Sequence, residues 1–207
     1  KAIITVVKEA VDNSLDSAEE ERILPELHID IEETGKNRLR FKIADNATGI
    51  SKKHIPKVFG KLLYGSKFHR LLQSRGQQGV GISAAGLYAQ LTTGNPITIH
   101  SKMKDGETHM FKVRIDTQKN EPEIIEDKII DGYKFDHGTM INMEIEAKYT
   151  GGHHSVPTYL KQTAVMNPFA RIVLKEPDGN VIEYPRVVDS LPKLPKEIKP
   201  HPHGVEL

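Results

Sequence analysis

A carboxylate and an amide lie four residues apart near the start of the chain, at Glu9 and Asn13. On a helix this spacing places both side chains on one face, within reach of a common ligand. A carboxylate can polarise an attacking water, and an amide oxygen can hold a magnesium ion that bridges phosphates. The pair therefore fits nucleotide hydrolysis, with Glu9 as general base and Asn13 as metal ligand. A polar pair opposite an apolar stripe is also typical of a solvated helix face, and we assign Asp12 and Asp16 to such a face.

A second candidate, Asp45, lies where an alternating strand pattern breaks into Asn-Ala-Thr-Gly-Ile at positions 46–50. An ionised carboxylate only accepts hydrogen bonds, so a buried Asp45 would select a ligand that donates. The exocyclic amine of adenine donates, whereas guanine has a carbonyl at that position. Gly49 would let the backbone approach a base closely, with Ile50 beside it. An aspartate and an asparagine after a strand also make an ordinary turn, and this segment alone leaves both interpretations open.

The third candidate is a glycine-rich loop that leads into a helix pattern of small residues. Its members are Gly76, Gln77, Gln78, Gly79, Val80 and Gly81. Glycines expose successive backbone N–H groups and the helix offers its positive N-terminus, so the loop fits a phosphate group. It lacks the Gly-Lys-Ser/Thr of a Walker loop and the parallel β-α-β unit of a dinucleotide site. Lys67 and Arg75 flank the loop and could meet phosphates, although exposed basic loop residues are more commonly solvated.

Thr139 opens another alternating strand pattern, directly after His137 and Gly138. Its hydroxyl could bond to Asp45 or to a water beneath a base. The alternative is an ordinary β-branched residue at the start of a strand.

The histidines do not form a metal-ligand pattern. His153 and His154 are adjacent and diverge on regular structure, while His201 and His203 lie in a proline-rich tail without nearby carboxylates or cysteines. We interpret all four as solvated loop residues.

The elements that must position these residues follow from the spacing of apolar side chains. Helical spacing predicts helices at 2–21, 52–63, 80–91 and 156–166. Alternation predicts strands at 28–33, 38–44, 96–101, 109–116, 123–128, 139–146, 170–174 and 181–184. Residues 64–78 have no apolar period and are predicted to form a mobile loop. Helices segregated from a largely antiparallel sheet predict an α+β, two-layer α/β sandwich over residues 1–184, followed by a proline-rich linker at 185–207.

Composition limits the classes of function. The 207 residues carry a net charge of +1, so no global field attracts nucleic acid or membrane, and any DNA role must be local or indirect. The chain has no cysteine, no apolar run near the ~20 residues of a membrane span, and no signal-peptide pattern. We expect a cytoplasmic protein that does not engage membranes. Because the first residue is Lys1 and a helix pattern begins at once, we also expect the chain to be a piece of a longer protein.

Considered jointly, the motifs at Glu9 and Asn13, at 45–49, at 76–81 and at Thr139 resemble those of the GHKL ATPases. That family shares the Bergerat ATP-binding fold and includes topoisomerase ATPase subunits, heat-shock chaperones, MutL proteins and histidine kinases. Further stretches narrow the resemblance to the B subunits of type IIB DNA topoisomerases, and it runs nearly end to end. They lie at 59–67, 74–85, 87–90, 119–122 and 199–205.

The resemblance implies an archaeal-type enzyme that binds ATP with Mg²⁺. It implies that ATP binding dimerises two B subunits, while partner A subunits cut one DNA duplex and let another pass. By position, Glu9 is the general base, Asn13 the magnesium ligand, Asp45 the adenine reader and 76–81 the closing lid. Hydrolysis would reset the gate, a ligand-driven two-state cycle.

Three departures from the family pattern carry expectations. Ala47 stands where the family usually has glycine; if that position needs a positive φ, the methyl group costs about 1 kcal/mol or more and weakens nucleotide binding. The exchanged N-terminal strap is absent from these residues, and so is the transducer domain with its phosphate-binding lysine. We therefore expect this chain alone to bind nucleotide, hydrolyse it slowly and stay largely monomeric.

A second function class stays open on the same fold. It is a nucleotide-gated interaction module, of the chaperone, MutL or chromatin-gate type, that moves no DNA duplex. An A-subunit partner together with downstream helical and transducer regions would favour the topoisomerase. A histidine kinase fits less well, because no dimerisation helix with a transfer histidine precedes the motifs.

Overall fold

The computed structural model describes residues 2–62, Tyr64, Arg75 and residues 81–193. It contains four helices in this part of the chain: α1 (Ala2–Glu20), α2 (Ile55–Gly60), α3 (Gly81–Thr93) and α4 (Val156–Met166). The strands are β1 (Glu26–Gly35), β2 (Arg38–Asp45), β3 (Ile97–Lys102), β4 (Thr108–Asp116), β5 (Glu121–Ile130), β6 (Gly138–Glu146), β7 (Arg171–Lys175) and β8 (Val181–Tyr184).

The strands form one eight-stranded sheet in the order β5-β4-β3-β6-β2-β1-β7-β8. Every neighbouring pair is antiparallel except β1 and β7, which are parallel. β2 and β6 lie in the middle of this order, so the residues at their ends are enclosed on both sides. The predicted two-layer sandwich with a mixed, mostly antiparallel sheet is confirmed.

One apolar core joins the helices to a single face of the sheet. Alternate residues of β2 point into it, and Leu39, Phe41 and Ile43 are almost fully buried. Val7 and Leu15 on α1 have no exposed surface, because the helix turns its apolar stripe towards those strands. Burial of this stripe sets the rotation of α1 and therefore the direction in which its polar residues point.

α2 is shorter than the predicted helix at 52–63. Residues 52–54 form a turn, in which the His54 N–H donates to the Ser51 carbonyl at 2.8 Å. At the other end the Asn120 side chain bonds both the N–H and the carbonyl of Leu62, at 2.8 and 3.1 Å. These tertiary bonds take the backbone groups that would have continued the helix.

The first residues of the predicted linker pack on the globule. The Arg186 guanidinium donates to the carbonyls of Phe169 and Pro25, at 2.8 and 3.1 Å, and the N–H of Val187 bonds Pro168 at 2.8 Å. Residues 194–207 lie outside the described part of the chain, as does nearly all of the predicted loop at 64–78. No helix in the described ranges is long and apolar enough to cross a membrane.

Candidate active site

Asp45, the last residue of β2, holds a buried carboxylate at the centre of the site. Its side chain accepts three hydrogen bonds: from the Ser14 hydroxyl at 2.7 Å, and from the backbone N–H groups of Ala47 and Thr139, both at 3.0 Å. Burial raises the pKa of the Asp45 carboxyl, and the bonds from these three residues oppose that rise. The carboxylate is thus held in one orientation and presents an acceptor to any ligand that reaches it.

Gly49 and Ile50 form the turn beside this carboxylate. Gly49 has a φ of +75°, and a Cβ there would lie 2.2 Å from the carbonyl oxygen of Lys102, so only glycine fits. The Ile50 N–H donates to the Ser101 hydroxyl at 2.7 Å, which ties the turn to β3. The close approach that Gly49 permits here is to the backbone of β3. The approach to a base stays a prediction.

Ala47 does not carry the expected strain. It is absent from the residues with positive φ, and its side chain is buried at 2% exposure. Its carbonyl lies 2.6 Å from Nδ1 of His137, which donates to it. The predicted free-energy cost depended on a positive φ at residue 47. Since Ala47 has an ordinary backbone conformation, its methyl group does not incur that cost.

Thr139 meets Asp45 through its backbone and not, as one predicted option had it, through its hydroxyl. The hydroxyl lies 3.4 Å from that of Ser101. Both hydroxyls are buried beneath the Gly49 turn. Side-chain periodicity could not reveal this role, because the atom that matters is an N–H that every residue except proline carries.

Glu9 lies on α1 against the first residue of α3. Its side chain is 24% exposed, and a Cβ built on Gly81 would lie only 1.7 Å from Glu9 Oε2. The N-terminal end of a helix favours a negative charge, so the Glu9 carboxylate is electrostatically matched to this position. Asn13 is half-buried one turn further along α1. The structure thus brings Glu9 to the point where the glycine-rich segment enters its helix.

Asp12 and Asp16 are not on a solvated face, and that expectation was wrong. They are 8% and 5% exposed. Asp12 accepts from the ammonium group of Lys8 at 2.6 Å and from the Tyr159 hydroxyl at 3.5 Å. Tyr159 belongs to α4, whose packing against α1 covers this face in a way that the periodicity of α1 cannot indicate.

Arg75 is bound to protein groups and does not point freely at a ligand. Its guanidinium donates to Asp16 at 3.0 Å, to Glu19 at 2.6 Å and to the Asn167 side chain at 2.6 Å. Its backbone N–H also bonds the Asp16 carboxylate at 3.2 Å. The residue is an anchor between α1 and α4. The other predicted phosphate contacts, Lys67, Gly76, Gln77, Gln78, Gly79 and Val80, lie outside the described residues.

Sequence reasoning missed Ser14 as the partner of Asp45. The signal was present, because Ser14 is a polar residue within the apolar stripe between Val11 and Leu15. A buried hydroxyl in such a stripe needs an acceptor. Its hydroxyl lies 2.9 Å from the Ala10 carbonyl, as well as meeting Asp45.

Comparison with known proteins gives a family match. Residues 1–119 match the family described as "Histidine kinase-, DNA gyrase B-, and HSP90-like ATPase". The matched range contains α1, the Asp45 end of β2 and the start of α3, which are the elements that carry Glu9, Asp45 and Gly81.

Curated relatives are similar along the whole chain. Proteins named as the B subunit of type 2 DNA topoisomerase 6 are 53% identical in Methanococcoides burtonii and Archaeoglobus fulgidus and 48% identical in Halobacterium salinarum. Each alignment covers 100% of this chain but 33%, 34% and 26% of the respective relative. The chain thus spans about a third of their length or less.

Two solved structures share the fold at low sequence identity. The topoisomerase IV ATP-binding domain of Francisella tularensis, in complex with a small-molecule inhibitor, has a TM-score of 0.55 at 20% identity, covering 86% of this chain and 47% of that one. The N-terminal domain of a DNA repair protein has a TM-score of 0.51 at 14% identity, covering 87% and 51%. At these identities the likeness concerns the fold.

Proposed function

Since the chain belongs to the family of histidine kinase-, DNA gyrase B- and HSP90-like ATPases, we propose that it is the ATP-binding and ATP-hydrolysing domain of a type 2 DNA topoisomerase 6 B subunit. The observation that carries this proposal is the Asp45 carboxylate, buried and held by three donors at the end of β2. Burying a carboxylate costs free energy. Recognition of a ligand that donates a hydrogen bond is a reason for a buried carboxylate at this position.

Asp45 is the adenine reader in this proposal. Two backbone N–H groups and a hydroxyl orient the carboxylate, and its remaining acceptor capacity suits an exocyclic amine. A carbonyl at the same place would face the carboxylate with no hydrogen between them, so adenine is selected over guanine. Gly49, Ile50 and Thr139 line the same end of the sheet and complete the base pocket.

Glu9 is the general base, because it combines partial exposure with a position at the N-terminus of α3. Asn13 supplies a neutral oxygen donor of the kind that hard divalent cations accept, so the residues present fit magnesium. When bound, Mg²⁺ would neutralise charge on the phosphates. Gly81, with Lys67, Gly76, Gln77, Gln78, Gly79 and Val80 before it, would bind the phosphates through N–H groups and one ammonium group.

The relatives are named as subunits of a type 2 DNA topoisomerase, and we propose this activity for the whole protein to which the chain belongs. ATP would join two B subunits, with an A subunit as partner and DNA as substrate of the assembly, in the cytoplasm. Taken alone, this chain would be largely monomeric and turn over slowly. The 53% identity along the entire chain favours this function over a nucleotide-gated interaction module of the chaperone, MutL or chromatin-gate type.

Calorimetric titration of ATP with magnesium tests the proposal. We expect the unchanged chain to bind, and Asp45→Asn to lose at least tenfold in affinity, because an amide is uncharged and keeps only one acceptor oxygen. Asp178→Asn is the matched control, since that carboxylate accepts an N–H from Asn180 in an exposed turn at 2.9 Å. No binding by the unchanged chain, or equal affinity of the Asp45→Asn variant, would refute the site.

A further inference from the structure

A short segment between β5 and β6 runs against the Asp45 end of β2 and belongs to none of the site motifs. Within residues 131–137 the side chains of Tyr133, Phe135 and His137 are half-buried, while those between them are exposed. The Tyr133 hydroxyl donates to the Asp45 carbonyl at 2.9 Å. His137 bonds the carbonyl of Ala47 on the same stretch of backbone. The segment therefore holds the main chain on both sides of residue 46.

The Asp45 carbonyl needs such a partner because the strand ladder ends beside it. The N–H of Asn46 points towards β1 and donates to the Glu26 carbonyl at 3.2 Å. In a trans peptide the carbonyl of Asp45 must then point the opposite way, towards β6. The pairing of β2 with β6 stops one residue short of Asp45. The hydroxyl of Tyr133 supplies a donor at that place.

The start of β6 is pressed against the same peptide. Thr139 gives its N–H to the Asp45 carboxylate, not to the carbonyl. Gly138 has a φ of +138°, and a Cβ there would lie 2.0 Å from the Asp45 carbonyl oxygen. Only a residue without a Cβ therefore fits beside the Asp45 carbonyl at this position.

Ring packing sets the position of Tyr133. Its ring meets that of Phe135 edge-on, with centroids 6.2 Å apart, and Phe135 in turn meets His28 of β1 at 5.4 Å. Burial, with the charge of Asp45 as a further cause, raises the pKa of the Tyr133 hydroxyl. The group therefore stays protonated, and remains a donor, throughout the physiological range.

We propose that Tyr133 is a positioning residue for base recognition, which fixes the Asp45 peptide and so aims the Asp45 carboxylate at the amine of the nucleotide. This inference rests on the proposed ATP site. It assigns part of the adenine preference to a residue that acts through the Asp45 peptide. Without the hydroxyl, the buried carbonyl has lost its donor and the peptide turns to find another, which moves the carboxylate.

Two nucleotides that differ only where the base is read test this role. Inosine triphosphate carries a carbonyl in place of the amine of ATP, so the ratio of the two affinities measures how well Asp45 is aimed. Both are measured in magnesium by displacement of a fluorescent ATP analogue from the 207-residue chain. We expect Tyr133→Phe to weaken ATP binding roughly tenfold and to reduce the preference for ATP over inosine triphosphate by a similar factor.

Tyr184→Phe is the matched control. Its hydroxyl also donates to a main-chain carbonyl at 2.9 Å, that of Pro157, between β8 and α4. We expect this variant to keep both affinities. Phe135→Leu keeps the Tyr133 hydroxyl but removes the ring that positions it, and should shift the preference in the same direction by a smaller factor.

The outcomes separate this inference from the function on which it rests. If the unchanged chain binds no ATP, the proposed function and the inference both fail. If it binds ATP and Tyr133→Phe retains the same affinity and preference, or weakens both nucleotides equally, the inference alone is overturned. If Tyr133→Phe does not fold, Phe135→Leu decides, and an unchanged preference in that variant overturns the inference.

Discussion

The hydroxyl of Ser14 lies 2.7 Å from Oδ2 of Asp45, although 31 residues separate them along the chain. This bond joins the buried face of α1 to the end of β2. Because Glu9 is on the same helix, the orientation of the Asp45 carboxylate and the position of Glu9 depend on one rigid element. We expect changes at this contact to affect both stability and nucleotide affinity.

Ser14→Ala removes the hydroxyl donor from a buried carboxylate. We expect the free energy of unfolding to fall by about 1–3 kcal/mol and ATP affinity to fall with it. Urea denaturation and calorimetry measure the two quantities. Thr163→Val is the control, because it deletes a buried helix hydroxyl that donates to the Tyr159 carbonyl of its own helix, at 3.0 Å, and makes no bond to Asp45. Full ATP affinity in Ser14→Ala would contradict the role of this bond.

The raised pKa of Asp45 predicts a pH dependence of stability. A carboxyl whose folded pKa lies above its unfolded value of about 3.8 holds its proton more tightly in the folded state. Stability contributed by this group is therefore greatest below pH 3.8 and declines as the pH rises through the folded pKa. Asn does not ionise. As the pH rises through the folded pKa of Asp45, we therefore expect the unfolding free energy of Asp45→Asn to increase relative to that of the unchanged chain. Denaturant titrations from about pH 3 to pH 8 measure the unfolding free energy of both chains. A constant difference between the two chains over this range would contradict the prediction.

Gly81→Ala should separate catalysis from stability. The added Cβ would lie 1.7 Å from Glu9 Oε2, at the free end of a flexible side chain, so Glu9 must move while the backbone need not. We expect single-turnover ATP hydrolysis to fall roughly hundredfold or more, the scale of a general base, while the melting temperature changes little. Gly151→Ala is the control, because a Cβ there meets nothing within 4 Å. Unchanged turnover in Gly81→Ala would remove Glu9 from the general-base role.

Ala47→Gly should not improve the site. Ala47 is buried and has no positive φ, so glycine relieves no strain and adds backbone entropy to the unfolded chain. We expect a loss of about 0.5–1 kcal/mol in unfolding free energy and no gain in ATP affinity. Calorimetry measures the affinity. A clear gain in Ala47→Gly would contradict this prediction, because relief of backbone strain could not explain it.

Arg75→Ala breaks an ion pair with a carboxylate that is only 4% exposed. We expect a loss of about 1–3 kcal/mol, reduced from the value for a fully buried pair because the Arg75 side chain is 29% exposed. Lys52→Ala removes a partner of Asp127 at 3.0 Å on the surface, and should cost less than about 1 kcal/mol. Equal losses in the two variants, by urea denaturation, would mean that Arg75 is not an anchor.

Much of this molecule follows from local pattern. Helical and alternating spacing predicted α4 at its observed bounds and the β1–β2 hairpin within a few residues, because burial of one face repeats at the period of the element itself. The types and order of Glu9, Asn13, Asp45 and the glycine-rich segment likewise indicated the nucleotide chemistry. Side-chain chemistry and spacing are properties of the chain before it folds.

The partners of those residues depend on distant segments. Asp45 meets Thr139 across 94 positions and Tyr133 across 88, and Asp16 is covered by Arg75 across 59. The sequence could name Asp45, and one of its donors, the Ala47 N–H, lies only two residues away. The donors Ser14 and Thr139 reach it only when α1 packs on the sheet and β6 lies beside β2. Asp12 and Asp16 are buried only when α4 and Arg75 cover α1. The physical reason is that hydrogen bonding and desolvation act through space, over a few ångströms, whereas periodicity reports only which face of an element turns towards the core.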